Sequence, residues 1–153
     1  MTQTQSNQTQ ELEEWQPYNL DHYAQEIVNE FRDKKNVLNE SHKMRMAVAY
    51  GLERFWGEHL RFQKDTNEES KNKGKYWKKV WDTLADKILK PTGIDLPNDK
   101  VNFDKTEEIQ KMTEKIWKMT PEDRTVILMV LTQFCDSLVW WTQRYKKKTD
   151  EVN

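Results

Sequence analysis

The residues here with chemistry to offer are lysines and arginines set beside large rings. Two stretches concentrate the pairing: Tyr76-Trp77-Lys78-Lys79-Val80-Trp81 and Trp140-Trp141-Thr142-Gln143-Arg144-Tyr145-Lys146-Lys147-Lys148. A third set, Lys43, Arg45, Arg54 and Arg61, runs along an apolar stripe in the middle of the chain. Rings anchor a helix in a core or on a partner, and neighbouring cations then sit at the rim of the same surface. Cations so placed can neutralise phosphates without reading bases. The candidate nucleic-acid-binding residues are therefore Lys43, Arg45, Arg54, Arg61, Lys78, Lys79, Arg144, Lys146 and Lys147. The bland reading of the same pattern is a set of solvated helix faces.

Catalytic chemistry lacks its parts. The histidines are His22, His42 and His59, with no His-x-x-x-His or Glu-x-x-His spacing among them. Zinc-protease and di-iron patterns on helices are thereby missing. His59 sits on an apolar stripe and reads as a hydrogen-bonded helix residue. Cys135, the sole cysteine, excludes an intramolecular disulfide and a cysteine-based zinc cluster. Its apolar mid-helix setting reads as a buried structural thiol. Glycine-rich phosphate loops do not occur. The carboxylate pairs Glu13-Glu14 and Glu107-Glu108 fall in a tail and in a first helical turn. The expectation is a protein that is not an enzyme and uses no metal or cofactor.

The elements that must hold these cations read as helices. Charged residues make up 33% of the 153 residues, hydrophobic ones 35%, and glycine and proline number four each. That balance favours charge-faced helices over sheets. The fold class expected is all-α, a compact bundle of about five helices in one domain over residues 19–148. A disordered polar tail covers 1–18 and a short C-terminal tail 149–153. Gln, Thr and Asn dominate the first ten residues and cannot repay ordering by burial. Trp15 and Tyr18 are placed to pin the end of that tail.

The first helix spans about Leu20 to Arg32, with Tyr23, Ala24, Ile27, Val28 and Phe31 on one face. The second spans about Ser41 to Lys64, through Met44, Val48, Leu52, Phe55, Trp56, His59 and Leu60. Gly51 and Gly57 inside it each cost roughly 1 kcal/mol against alanine, which predicts a kink or a close helix approach. Asp65 to Gly74 reads as a loop, and the third helix spans about Tyr76 to Leu89. Pro91 to Phe103 reads as irregular and mobile. The fourth helix starts at Asp104, with Glu107 completing a capping box. The last has the clearest start: Thr120 caps, Pro121 fills the first helical position, and Glu122 and Asp123 complement the dipole. Its apolar face, from Ile127 through Phe134 to Tyr145, belongs at the bundle centre or at a subunit contact. Most tryptophans read as core, with one or two left for a contact surface.

Charge is unevenly spread. Residues 1–34 carry −5, 42–79 carry +5, 80–123 carry −3 and 124–153 carry +2, for a net −1. The basic middle and basic end are the candidate contact regions. No apolar run approaches ~18 residues, which predicts no membrane span. The polar N-terminus does not read as a secretory signal, and a cytoplasmic location is expected.

Three segments resemble the small helical subunit of type III CRISPR RNA-guided effector complexes, closest to the Cmr branch. They are Ala47-Val48-Ala49-Tyr50-Gly51-Leu52-Glu53-Arg54-Phe55-Trp56, Tyr76-Trp77-Lys78-Lys79-Val80-Trp81-Asp82-Thr83-Leu84, and the last helix ending Leu138-Val139-Trp140-Trp141-Thr142-Gln143-Arg144-Tyr145-Lys146. The Gln-rich tail and the long Pro91 to Phe103 segment depart from that pattern. The resemblance implies a non-catalytic antiviral-defence subunit that stacks in several copies along the complex. Its partners would be other subunits, copies of itself, and guide and target RNA, whose phosphates the nine cations would contact. The rival expectation is a helical protein–protein adaptor that uses a Trp-rich face and binds no nucleic acid.

Overall fold

A computed structural model describes residues 18–148 and residue 150. The tail expected over 1–18, with Trp15, lies outside the described residues except for the backbone at 18, as do 149 and 151–153. Six α-helices and no strand occur among the described residues, so the fold is all-α. They are α1 Tyr18–Phe31, α2 Glu40–Ala47, α3 Leu52–Gln63, α4 Glu68–Thr83, α5 Thr106–Trp117 and α6 Pro121–Tyr145.

The apolar spacing read in α1 and α6 faces the core. Ala24, Ile27 and Val28 of α1 are buried, as are Ile127, Leu131, Phe134, Cys135 and Leu138 of α6. The start of α6 forms as its residues dictate, with Thr120 Oγ1 accepting from the Asp123 amide at 3.2 Å and Pro121 in the first turn. From the same first turn Arg124 donates to the carbonyls of Ile116 and Trp117 at 3.0 and 2.9 Å. It thereby satisfies orphan acceptors where α5 stops.

Three boundaries and one helix contact differ from the sequence expectation. The helix expected over 41–64 is two helices. A short 3-10 turn, Val48–Tyr50, follows α2, and Gly51 then adopts φ 100° and ψ 166° before α3 begins. That conformation suits glycine alone, so Gly51 breaks the helix rather than bending it. The loop expected over 65–74 is largely helical. Asn67 caps α4 by accepting from the Ser70 amide at 2.8 Å, and Glu68 and Glu69 stand in its first turn. The close approach expected at Gly57 occurs instead at Gly74, where an added Cβ would lie 2.9 Å from Phe62 Cβ; at Gly57 it would meet nothing within 4 Å. Finally, α5 begins two residues after Asp104. No side chain caps it, and Asn102 Oδ1 takes the Asp104 amide at 2.9 Å in a local turn instead.

The segment after α4 is irregular yet anchored. Beyond a π-helical stretch, Leu84–Leu89, and a 3-10 turn, Lys90–Thr92, the chain reverses at Gly93 with φ 86°. It then returns along α4. Leu96 is buried, and Trp81 Nε1 donates to the Pro97 carbonyl at 3.1 Å.

Aromatic packing fills the α3–α4 crossing. The Phe55 ring lies 5.0 Å from Trp77 and 6.3 Å from Trp81. A buried polar node joins three helices: Ser41 Oγ of α2 is 2.6 Å from Tyr76 Oη of α4 and 2.6 Å from Thr142 Oγ1 of α6. Beside it Glu40 is fully buried. Its carboxylate accepts from Trp77 Nε1 at 3.1 Å and pairs with Lys43 Nζ at 3.1 Å. Burying a carboxylate is costly unless it is paired and hydrogen-bonded in this way.

By length and mean hydropathy, 1.3 over 18 residues, α6 is apolar enough to cross a membrane, although no strictly apolar run of that length exists. In this bundle one side of α6 is core, packed against α1 and α2.

Candidate nucleic-acid interface

The cations divide according to the helices that carry them. On α3, Arg54 and Arg61 lie two turns apart within one uninterrupted helix, about 10 Å along its axis. Lys43 and Arg45 belong to α2, on the far side of the Gly51 break. A strip tracking one continuous helix from Lys43 to Arg61 therefore does not form.

Among the described residues, internal carboxylates hold Lys43, Arg45, Arg61, Lys78 and Lys147. Lys43 pairs with Glu40 at 3.1 Å, Arg45 with Asp136 at 2.6 Å, Arg61 with Glu58 at 2.9 Å and Lys147 with Asp33 at 2.5 Å. Lys78 pairs with Asp82 and also donates to Asn98 Oδ1 at 2.8 Å, which ties the returning segment to α4. The Lys147 contact holds the Asp33 carboxyl below its usual range. Lys79 lies in a groove between α1 and α4 that Glu26 and Glu30 also line. Lys146 follows the end of α6.

Arg54 and Arg144 differ from these. Among the described residues neither has a carboxylate within ion-pair distance, and each guanidinium lies over an exposed ring. Arg54 sits 5.9 Å from the centroid of Tyr50, and Arg144 sits 3.6 Å from that of Trp140. Tyr50 is 63% exposed and Trp140 47%. Trp140 is steadied from behind by Trp141, ring centroids 4.7 Å apart, and Trp141 Nε1 donates to Asp21 at 3.3 Å. Such pairs offer a positive charge and a flat π-face together.

Comparison with known protein families, characterised proteins and solved structures finds no match.

The tryptophans fall as their spacing implied. Trp56, Trp77 and Trp81 are core, whereas Trp117 and Trp140 are exposed. Sequence reasoning missed Tyr50 as a surface ring. Gly51 beside it was the available signal, since a helix break turns the preceding residue outward.

His59 and Cys135 both lie in the core. His59 is buried, with Nδ1 against the Trp56 carbonyl. Desolvation, aided by nearby Lys78, lowers its pKa to about 4 despite the Trp56 carbonyl. Cys135 is fully buried, and desolvation pushes its thiol well above the usual range. No group of three or more His, Cys, Asp or Glu suited to a metal ion occurs among the described residues.

Proposed function

We propose that this chain is the non-catalytic small subunit of a type III CRISPR RNA-guided effector complex. On this reading it acts in the cytoplasm, stacks in several copies beside other subunits, and contacts the backbone of the guide–target RNA duplex. The observation that carries the proposal is the pair of arginines without carboxylate partners, Arg54 and Arg144, each set on an exposed ring. The resemblance of the three segments supplies the biological setting.

The test replaces Arg54 and Arg61 by Glu, and Arg144 by Glu separately, within the reconstituted complex. Affinity for target RNA should fall largely independently of sequence, because phosphates carry no sequence information. Each lost contact should lower the salt slope by about 0.9 on a duplex or about 0.7 on a single strand. RNA cleavage chemistry should persist wherever the complex still forms. Unchanged affinity and salt slope in all variants would overturn the proposal.

One observation favours the adaptor reading instead. Five of the nine cations, Lys43, Arg45, Arg61, Lys78 and Lys147, are already engaged by the chain's own acids. Trp140 would then anchor a partner helix, and binding would be insensitive to salt.

A further inference from the structure

The outward face of α6 is a straight seam. Met129, Gln133, Asp136, Trp140 and Gln143 are all exposed, at alternating spacings of four and three, the repeat that packs one helix on another. Met129 is 58% exposed and projects as a knob. Eleven residues further along, a concavity of about 290 Å³ opens beside Trp140, lined by Asp21, Asp136, Ser137, Trp140 and Trp141.

The two ends of the seam are oppositely charged. Glu122 and Asp123 occupy the first turn of α6, where the helix dipole favours them, and Arg144 occupies the last, followed by Lys148, while Lys147 is engaged by Asp33. A surface with a knob and acids at one end, and a hole and bases at the other, is complementary to itself when turned end for end.

We propose that two copies of this chain associate through α6 in an antiparallel, two-fold arrangement. Met129 of each copy enters the concavity beside Trp140 of the other, where thioether and ring make a favourable contact. The axis passes between Gln133 and Asp136. In that register Thr125 of one copy lies level with Arg144 of its partner copy, one residue from Gln143, and the acidic first turn lies beside the basic end. A parallel pairing would set like charges together and leave Met129 opposite Met129. Every residue in a two-fold contact is used twice, so one favourable knob-and-hole pair counts double. The pairing would cover Trp140 and Arg144, so it competes with RNA for that end of α6 rather than resting on the RNA reading, and it is tested without RNA.

Sedimentation equilibrium of the wild-type chain at low salt should show a monomer–dimer equilibrium that shifts toward monomer as salt rises. Trp140→Glu should weaken the dimer roughly tenfold or more, as loss of a central aromatic anchor does. Its circular dichroism and melting should be unchanged, because the ring is half exposed. Register is tested by oxidative crosslinking of Thr125→Cys mixed with Gln143→Cys. The mixture should give a disulfide-linked dimer while Thr125→Cys alone should not, since two copies of position 125 would lie about 28.5 Å apart along the axis. Buried Cys135 is not expected to interfere. A wild-type chain that stays monomeric at all concentrations overturns the proposal. So does a Thr125→Cys protein that crosslinks to itself as readily as the mixture does.

Discussion

Replacing Gly74 and Gly57 by alanine, one at a time, separates the energy of a close helix crossing from that of helix propensity. Both glycines lie inside helices, so each substitution gains about 1 kcal/mol of intrinsic propensity. At Gly57 the new methyl meets nothing within 4 Å, and the gain should appear as a stabilisation of about 0.5–1 kcal/mol. At Gly74 the methyl would stand 2.9 Å from Phe62 Cβ and 3.3 Å from the His59 carbonyl oxygen. Neither neighbour is the free end of a flexible chain, so α3 and α4 must move apart. Overpacking of that kind costs about 1–3 kcal/mol and cancels or outweighs the propensity gain. The two variants should therefore differ by about 1–3 kcal/mol, in a comparison where the intrinsic term drops out. Urea unfolding followed by tryptophan fluorescence measures the difference, provided the slope with denaturant is unchanged. Two equally stabilised variants would refute the reasoning, because the crossing would then have room that the structure denies it.

Three further outcomes are expected. Phe134→Ala should lose about 3–5 kcal/mol in the same unfolding assay, since the ring is fully buried on α6. His59 has a folded pKa of about 4 against an ordinary 6.5, so the unfolded chain binds the extra proton between those values. The stability it contributes is full above pH 6.5 and is lost as pH falls toward 4. His59→Gln should flatten that part of the stability–pH curve relative to wild type. Cys135 should resist a thiol reagent at pH 8 in the folded protein and react within the mixing time once denatured. Fast reaction in the native state would mean that α6 opens from the core.

What the sequence disclosed, and what it hid, divides along physical lines. The start of α6 was legible because Thr120, Pro121, Glu122 and Asp123 act within one turn of each other. Core residues such as Trp56, Trp81 and Phe134 were legible through their spacing. The break at Gly51 was not, because apolar periodicity continues through it while the backbone does not. The first turns of α4 were masked by charge. Glu68 to Lys75 has almost no apolar residue to mark a face, and only Asn67 with two following acids gave the cap away. Asp104 looked like a cap, but Asn102 competes for its amide. The anchoring of the returning segment depends on Trp81 meeting Pro97 and Lys78 meeting Asn98, contacts that no local pattern reports. The candidate interface suffered most from this. Arg45 finds Asp136, 91 positions away, and Lys147 finds Asp33. A count of positive charge along the chain therefore overstates what the surface presents.

The hydroxyl node of Ser41, Tyr76 and Thr142 has a kinetic consequence. These residues lie on three helices drawn from distant parts of the chain, and each oxygen is satisfied only by the others. Ser41 is the hub, so pulling α2 away strands the hydroxyls of both Tyr76 and Thr142, and α2 should open only together with α4 and α6. By contrast, α5 buries two side chains, Met112 and Ile116, and is tied to α6 at its C-terminal end by Arg124, so its first turns should fray alone. Amide exchange should accordingly be biphasic in space. Protons at the heart of α4 and α6 should exchange only through global unfolding, while those of the first turns of α5 should exchange orders of magnitude sooner. The bundle thus has one end that behaves as a single solid and one that behaves as a hinged flap.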